Sequence, residues 1–144
     1  MKLLHAENEF AGRASVVALG MFDGVHIGHQ ALIRTAVRLA REMGAESIVC
    51  TFDRHPMSVI RPECAPKPLL TLEENLKKFA QLGADAALVK PFTREFADVC
   101  PEDYLELLAT GLKARALVVG ENYIFGRGGR GTAELGKQRA KKYG

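Results

Sequence analysis

The sequence predicts an α/β fold, a parallel sheet with helices on both faces. Two observations carry this. Short apolar runs alternate along the chain with segments whose apolar residues recur at helical spacing, the pattern of repeated strand–helix units. Three of these runs, ending near Phe22, Phe52 and Gly120, also hand over directly to polar, glycine-bearing stretches. Ligands of such sheets bind at the carboxyl ends of the strands, so the convergence of the three stretches already locates a site.

The first strand covers Ser15–Phe22, opening with Ser15-Val16-Val17-Ala18-Leu19. The helix after it carries Leu32, Ala36, Leu39, Ala40 and Met43 on one stripe, and Gly44 stops it at the C-terminal cap position. The second strand is Ser47–Phe52. Asp53–Pro68 holds Pro56, Pro62, Pro66 and Pro68 and reads as a long loop without a regular element. Thr71 and Glu74 form a capping box, opening a helix with Leu72, Leu76, Phe79 and Ala80 on one face. Gly83 precedes a short strand, Ala86–Val89. Pro101, Glu102 and Asp103 in a first turn and Gly111 at the far end frame a further helix. Ala116–Val119 is the next strand. A turn through Gly126, Gly128, Gly129 and Gly131 then leads into a basic helix from about Thr132.

At 144 residues and 47% hydrophobic, the chain suits one domain with a real core. No apolar run approaches the ~18 residues of a membrane span, and the first nine residues lack a signal peptide's apolar stretch. The expectation is a cytoplasmic protein without a membrane partner. Cys50, Cys64 and Cys100 are odd in number and widely spaced, which argues against a disulfide framework or a structural zinc site. They read as ordinary buried or half-buried thiols. The net charge of +3 is uneven, because residues 127–142 carry +5 and the rest −2. That segment lacks interleaved aromatics and any nucleic-acid-binding motif, so it reads as a solvated helix face with no nucleic-acid partner. Arg127 and Arg130 stand apart, in a glycine-rich turn where a triphosphate could lie. Oligomeric state is not legible.

The strongest motif is Gly20-Met21-Phe22-Asp23-Gly24-Val25-His26-Ile27-Gly28-His29-Gln30. It puts two histidines, three residues apart, where a strand hands over to a helix. The first N–H groups of a helix have no intrahelical partner and the dipole is positive there, which makes an anion site. Gly24 and Gly28 would let the backbone turn tightly and a phosphate come close. Asp23-Gly24 is also a turn signal, and Asp23 either shapes the loop presenting His26 or orients an imidazole or a metal-bound water. His55, in Thr51-Phe52-Asp53-Arg54-His55-Pro56, divides between a functional role and loop packing. His5 has no supporting context. In Val118–Thr132, Tyr123 and Phe125 share a side if the segment is extended, and no Gly-Lys-Ser/Thr makes its glycines a Walker motif.

His26-Ile27-Gly28-His29 resembles the signature of the nucleotidylyltransferase superfamily. With Phe22–Gln30, Thr51–Pro56 and Val118 through Gly126 in this order, the chain resembles the adenylyltransferase (FAD synthetase) module of prokaryotic bifunctional riboflavin kinase/FMN adenylyltransferases, from about Ser15 to Thr132. The resemblance implies a Rossmann-like sheet of nucleotidylyltransferase type. It also implies transfer of the adenylyl group of ATP to FMN, giving FAD and pyrophosphate, with Mg²⁺ on the phosphates. His26 and His29 would be catalytic, with Gly20, Phe22, Asp23, Gly24, Gly28 and Arg127 also beside ATP. The flavin ring is flat and apolar, so Phe52, His55, Tyr123 and Phe125, with Asn122 beside them, are its expected neighbours. Metal ligands are not assigned. The family's Ser-Ser-Thr-x-Ile-Arg type segment and its riboflavin kinase domain do not occur in the 144 residues, which leads us to expect an adenylyltransferase-like domain without them. Two other readings stay open: a nucleotidylyltransferase with another phosphorylated acceptor, and a non-catalytic paralogue that binds flavin or nucleotide without forming FAD.

Overall fold

The computed structural model describes residues 1–65, 67–120, 123, 126, 131, 132, 134, 136 and 137. Five strands, β1 (Lys2–Leu4), β2 (Ser15–Leu19), β3 (Glu46–Phe52), β4 (Ala86–Lys90) and β5 (Ala114–Val119), pair in the order β1-β4-β3-β2-β5. All the pairings are parallel. Helices accompany them within residues 1–120: α1 (Ile27–Met43), α2 (Met57–Ile60), α3 (Leu72–Gln81), α4 (Arg94–Ala97) and α5 (Pro101–Gly111), with 3₁₀ turns at Glu7–Glu9 and Pro62–Cys64. From β2 the chain steps outward to β3 and β4, then returns across the sheet to β5 on the other side of β2. The strand order therefore reverses between β2 and β5, the kind of position beside which such sheets bind ligands at their carboxyl ends.

The two faces of the sheet follow from strand alternation. Val16 and Ala18 of β2, Val49 of β3 and Ala87 of β4 join Ile33, Ala36 and Ala40 of α1 and Phe79 of α3 in one buried cluster. Val17, Leu19, Ile48, Cys50 and Leu88 meet Tyr104 and Leu108 of α5 and Leu112 in the other. Ala18, Ala36, Ala40 and Ala87 are small, which lets α1 lie close against the sheet. α1 ends as its sequence foretells, with Gly44 at φ 65° and its N–H donating to the carbonyls of Ala40 and Arg41. Thr71 Oγ1 accepts from the Glu74 N–H at 3.1 Å, closing the cap of α3.

The structure corrects four expectations. The first strand stops at Leu19, short of Phe22, because the backbone leaves the extended region at Phe22, with φ 51°. Strand β1 escapes sequence reading because three residues are too few to show a period. Asp53–Pro68 is not wholly irregular: Pro56 caps α2 and Pro62 opens a 3₁₀ turn, both entry positions where proline's fixed φ and missing N–H cost little. Cys50 is buried, but Cys64 and Cys100 are exposed. Cys50 Sγ lies 3.6 Å from the Tyr104 hydroxyl, and burial pushes the thiol up to about 12, so it stays neutral.

Ile33 is fully buried at the centre of the α1-side cluster. Ile33→Ala should cost about 2–5 kcal/mol through lost burial and a residual cavity. A fall in the urea midpoint of this size, with the slope unchanged, is the expected result.

Candidate active site

The site begins where β2 runs out. Gly20 N–H still donates to the Cys50 carbonyl at 3.4 Å, and beyond it the chain enters a tight turn. Phe22, Gly24 and Val25 take φ values of 51°, 78° and 45°. Left-handed backbone is a strained state for a β-branched residue, of order 1–3 kcal/mol, and it persists only where the surroundings impose it. Here they do. The Phe22 ring is fully buried, edge-on to Phe79 at 5.8 Å and to His29 at 5.3 Å. Val25 is buried, and its carbonyl accepts from Gln30 Nε2 at 3.1 Å.

Asp23 ties this turn to a distant segment. Its carboxylate accepts from the N–H groups of Leu69 and Leu70 at 2.8 and 3.1 Å, and from Asn75 Nδ2 at 3.3 Å. Asn75 Oδ1 in turn accepts from the Gly24 N–H at 3.0 Å. Burial alone would raise the Asp23 pKa, but the Leu69, Leu70 and Asn75 donors outweigh it and hold the carboxyl below its ordinary value.

His26 occupies the N-cap of α1 and His29 its first turn. Their rings stack with centroids 3.6 Å apart and planes 23° from parallel. The His26 ring lies over Gly28, where a Cβ would come within 3.3 Å of its Cε1. A Cβ on Gly24 would meet Leu69 Cδ1 at 2.9 Å. The space beside both glycines is thus filled from within the protein. Burial pushes the His29 pKa down, as does the adjacent His26, against a weaker opposing pull from Asp23. His29 Nδ1 is buried with no hydrogen-bond partner among the described residues. No side chain caps α1 and its first turn holds no acid, so the positive end of a 17-residue helix is open.

On the other side of the turn lies a cavity of about 480 Å³, in the size range of small-molecule sites. Met21 and Asp23, Phe52 and His55 at the end of β3, and Leu70 and Asn75 line it. Thr51 Oγ1 donates to the Met21 carbonyl at 2.9 Å, joining the ends of β2 and β3. His55 Nδ1 accepts from the Met57 N–H at 3.1 Å, which orients the ring and leaves Nε2 as the donor of the neutral imidazole. Phe52 touches the cavity, but most of its ring packs edge-on against Phe92 at 5.1 Å and Phe96 at 5.4 Å.

The structure therefore gathers Asp23, Phe52 and His55 at the cavity, and Gly28, His26 and His29 at the helix end beyond the same turn. His26 and His29 do not line the cavity. Tyr123 packs against the α5-side cluster, where burial raises its pKa, and it is not among the cavity's lining residues. Asn122, Phe125 and Arg127 lie outside the described residues. Asn75 was not singled out from the sequence, yet a signal existed: it is a polar residue on the apolar stripe of α3, between Leu72 and Phe79. Leu69 and Leu70 contribute only backbone N–H groups and left no such signal.

Residues 9–144 match the model of a protein family described as FAD synthetase. The chain belongs to the FAD synthetase family. Its relatives include the bifunctional riboflavin kinase/FMN adenylyltransferase of Bacillus subtilis, 40% identical over 82% of this chain and 38% of that protein. The protein of the same name from Escherichia coli K12 is 31% identical over 100% of this chain and 47% of its own length. The chain thus spans less than half the length of each of these relatives. Among solved structures, a Streptococcus pneumoniae protein titled a macrolide-efflux protein superposes with a TM-score of 0.80 at 27% identity, over 99% of this chain and 48% of that one. That likeness supports the α/β fold. No helix among the described residues is long and apolar enough to cross a membrane.

The Asp23 bonds make the Leu69–Leu70 strap pH-sensitive. A carboxyl with a lowered folded pKa adds stability above its ordinary unfolded value and loses it as the pH falls through the folded one. Hydrogen exchange should show Leu69 and Leu70 amides protected at neutral pH and released in acid. Asp23→Ala should reduce that protection at least about tenfold at pH 7, the worth of one charge-assisted bond at ~1.5 kcal/mol.

Proposed function

We propose that this chain transfers the adenylyl group of ATP to FMN, forming FAD and pyrophosphate. The observation that carries the reading is the stacked His26–His29 pair at the open N-terminus of α1, separated by one turn from a 480 Å³ cavity. Membership of the FAD synthetase family supplies the substrate class. The cavity takes the flavin of FMN, with His55 and Leu70 at its walls, and the helix end takes the triphosphate.

In the reaction a phosphate oxygen of FMN attacks the α-phosphorus of ATP, a new P–O bond forms, and the bond from the α-phosphorus to the bridging oxygen breaks. Pyrophosphate carries away the electron pair. Such a displacement is accelerated by alignment and by charge stabilisation more than by covalent help. The first-turn N–H groups of α1 and the imidazoles of His26 and His29 are the fixed donors available for the charge that develops on the leaving oxygens. His29, with its pKa lowered, acts as a neutral hydrogen-bond donor near pH 7.

Among the described residues no group of three or more His, Cys, Asp and Glu is placed to hold a metal ion, and the Asp23 oxygens already accept protein donors. In this reading Mg²⁺ would ride on the phosphate oxygens of ATP and keep several of its own waters. A cytoplasmic location is part of this proposal.

His26→Ala and His29→Ala should each lower the FAD-forming rate by about 10²–10³, the usual cost of losing one transition-state contact. FMN affinity, read by quenching of flavin fluorescence, should change little because neither ring lines the cavity. Chromatographic assay of FAD from FMN, ATP and Mg²⁺ is the test. A variant that keeps the full rate removes its histidine from the reaction.

A further inference from the structure

The Asp23–Asn75 connection joins two parts of the molecule that the proposed reaction uses separately. Asn75 is 8% exposed, on the face of α3 that packs under the turn. One amide spends both its ends on that turn, accepting from the Gly24 N–H and donating to Asp23. Asp23 spends its two oxygens on the Leu69 and Leu70 N–H groups of the strap that walls the cavity. Cavity wall and strained turn are thus linked by direct hydrogen bonds, the histidines follow the turn in the chain, and among the described residues Asn75 is the α3 side chain that hydrogen-bonds the turn.

We propose that Asn75 is a positioning residue that couples the two substrate sites, so that FMN in the cavity strengthens ATP binding at the histidine turn and ATP strengthens FMN binding in return. The coupling rests on the reading that FMN takes the cavity and ATP the helix end. Its physical basis is differential contact. FMN adds surface to the strap only when the strap is docked on Asp23. Docking in turn holds Asp23 and Gly24 in the conformation that presents the α1 N-terminus and the stacked imidazoles. Without the Asn75 amide, the Gly24 N–H loses its acceptor and Asp23 one of its donors. The strained backbone of Phe22–Val25 then has one restraint fewer, and strap and turn adjust independently.

The experiment is calorimetric titration of the 144-residue chain with α,β-methylene-ATP and Mg²⁺, with and without saturating FMN. In the unaltered chain FMN should lower the Kd of the analogue about 5–150-fold, the usual span of coupling between sites. Asn75→Ala should bring this factor close to one. Asn75→Leu, which keeps the volume on α3 but carries no amide, should do the same and covers the case in which the alanine variant fails to fold. Ile33→Ala, which weakens the core without touching the link, should keep the factor, separating positioning from general destabilisation. Full coupling in both Asn75 variants overturns the proposal, as does independent binding in the unaltered chain. Either result leaves adenylyl transfer standing if FAD is formed. Coupling that vanishes in the variants while the unaltered chain makes no FAD supports the proposal and overturns the transfer reading alone.

Discussion

Strand β2 is buried at every residue and paired on both sides, by β3 and by β5. Its alternate side chains belong to two different cores, so it cannot slip by one residue without exchanging Val16 and Ala18 for Val17 and Leu19. Its end at Leu19 is consequently the best-fixed point of the sheet. Because the chain crosses over β2 to reach β5, this end also borders the point where the strand order reverses. The histidine turn leaves from there, which places His26 and His29 with reference to a strand buried along its length and paired on both sides.

The turn itself is costly, with a valine and a phenylalanine in the left-handed region. Burial of both side chains and the bonds through Asp23 and Asn75 offset that strain. The apolar cluster around Phe22 does double work, since the same ring that fills the core stands edge-on to His29 and limits the orientations of that imidazole. On the opposite face the aromatic chain Phe52, Phe96 and Tyr104 runs from the cavity wall to α5. The cavity side and the α5 side of the sheet are therefore not separate layers of the molecule.

Much of this was legible beforehand because the signals are local. The apolar periods of α1 and α3, the Thr71 cap, Gly44 and Pro101 each speak for their own element, and the histidine pair is contiguous in sequence. The end of β2 was misplaced because Phe22 looks like a strand residue and only its backbone angle says otherwise. Leu69 and the His26 ring occupy the space beside Gly24 and Gly28, which the motif's spacing alone does not show. The Asp23 partners were invisible because two are backbone N–H groups some 46 and 47 residues away, contacts that composition and periodicity do not encode.

That separation makes the histidine motif a discontinuous unit. Gly24 and its acceptor Asn75 lie 51 positions apart. The Phe22–His29 segment therefore carries its sequence but not its shape when moved to another scaffold, since the conformation is written jointly with α3. Drift at position 75 is similarly bound to positions 23 and 24. A replacement there must again offer an acceptor to one backbone N–H and a donor to one carboxylate, and among the common side chains few can do both at that reach.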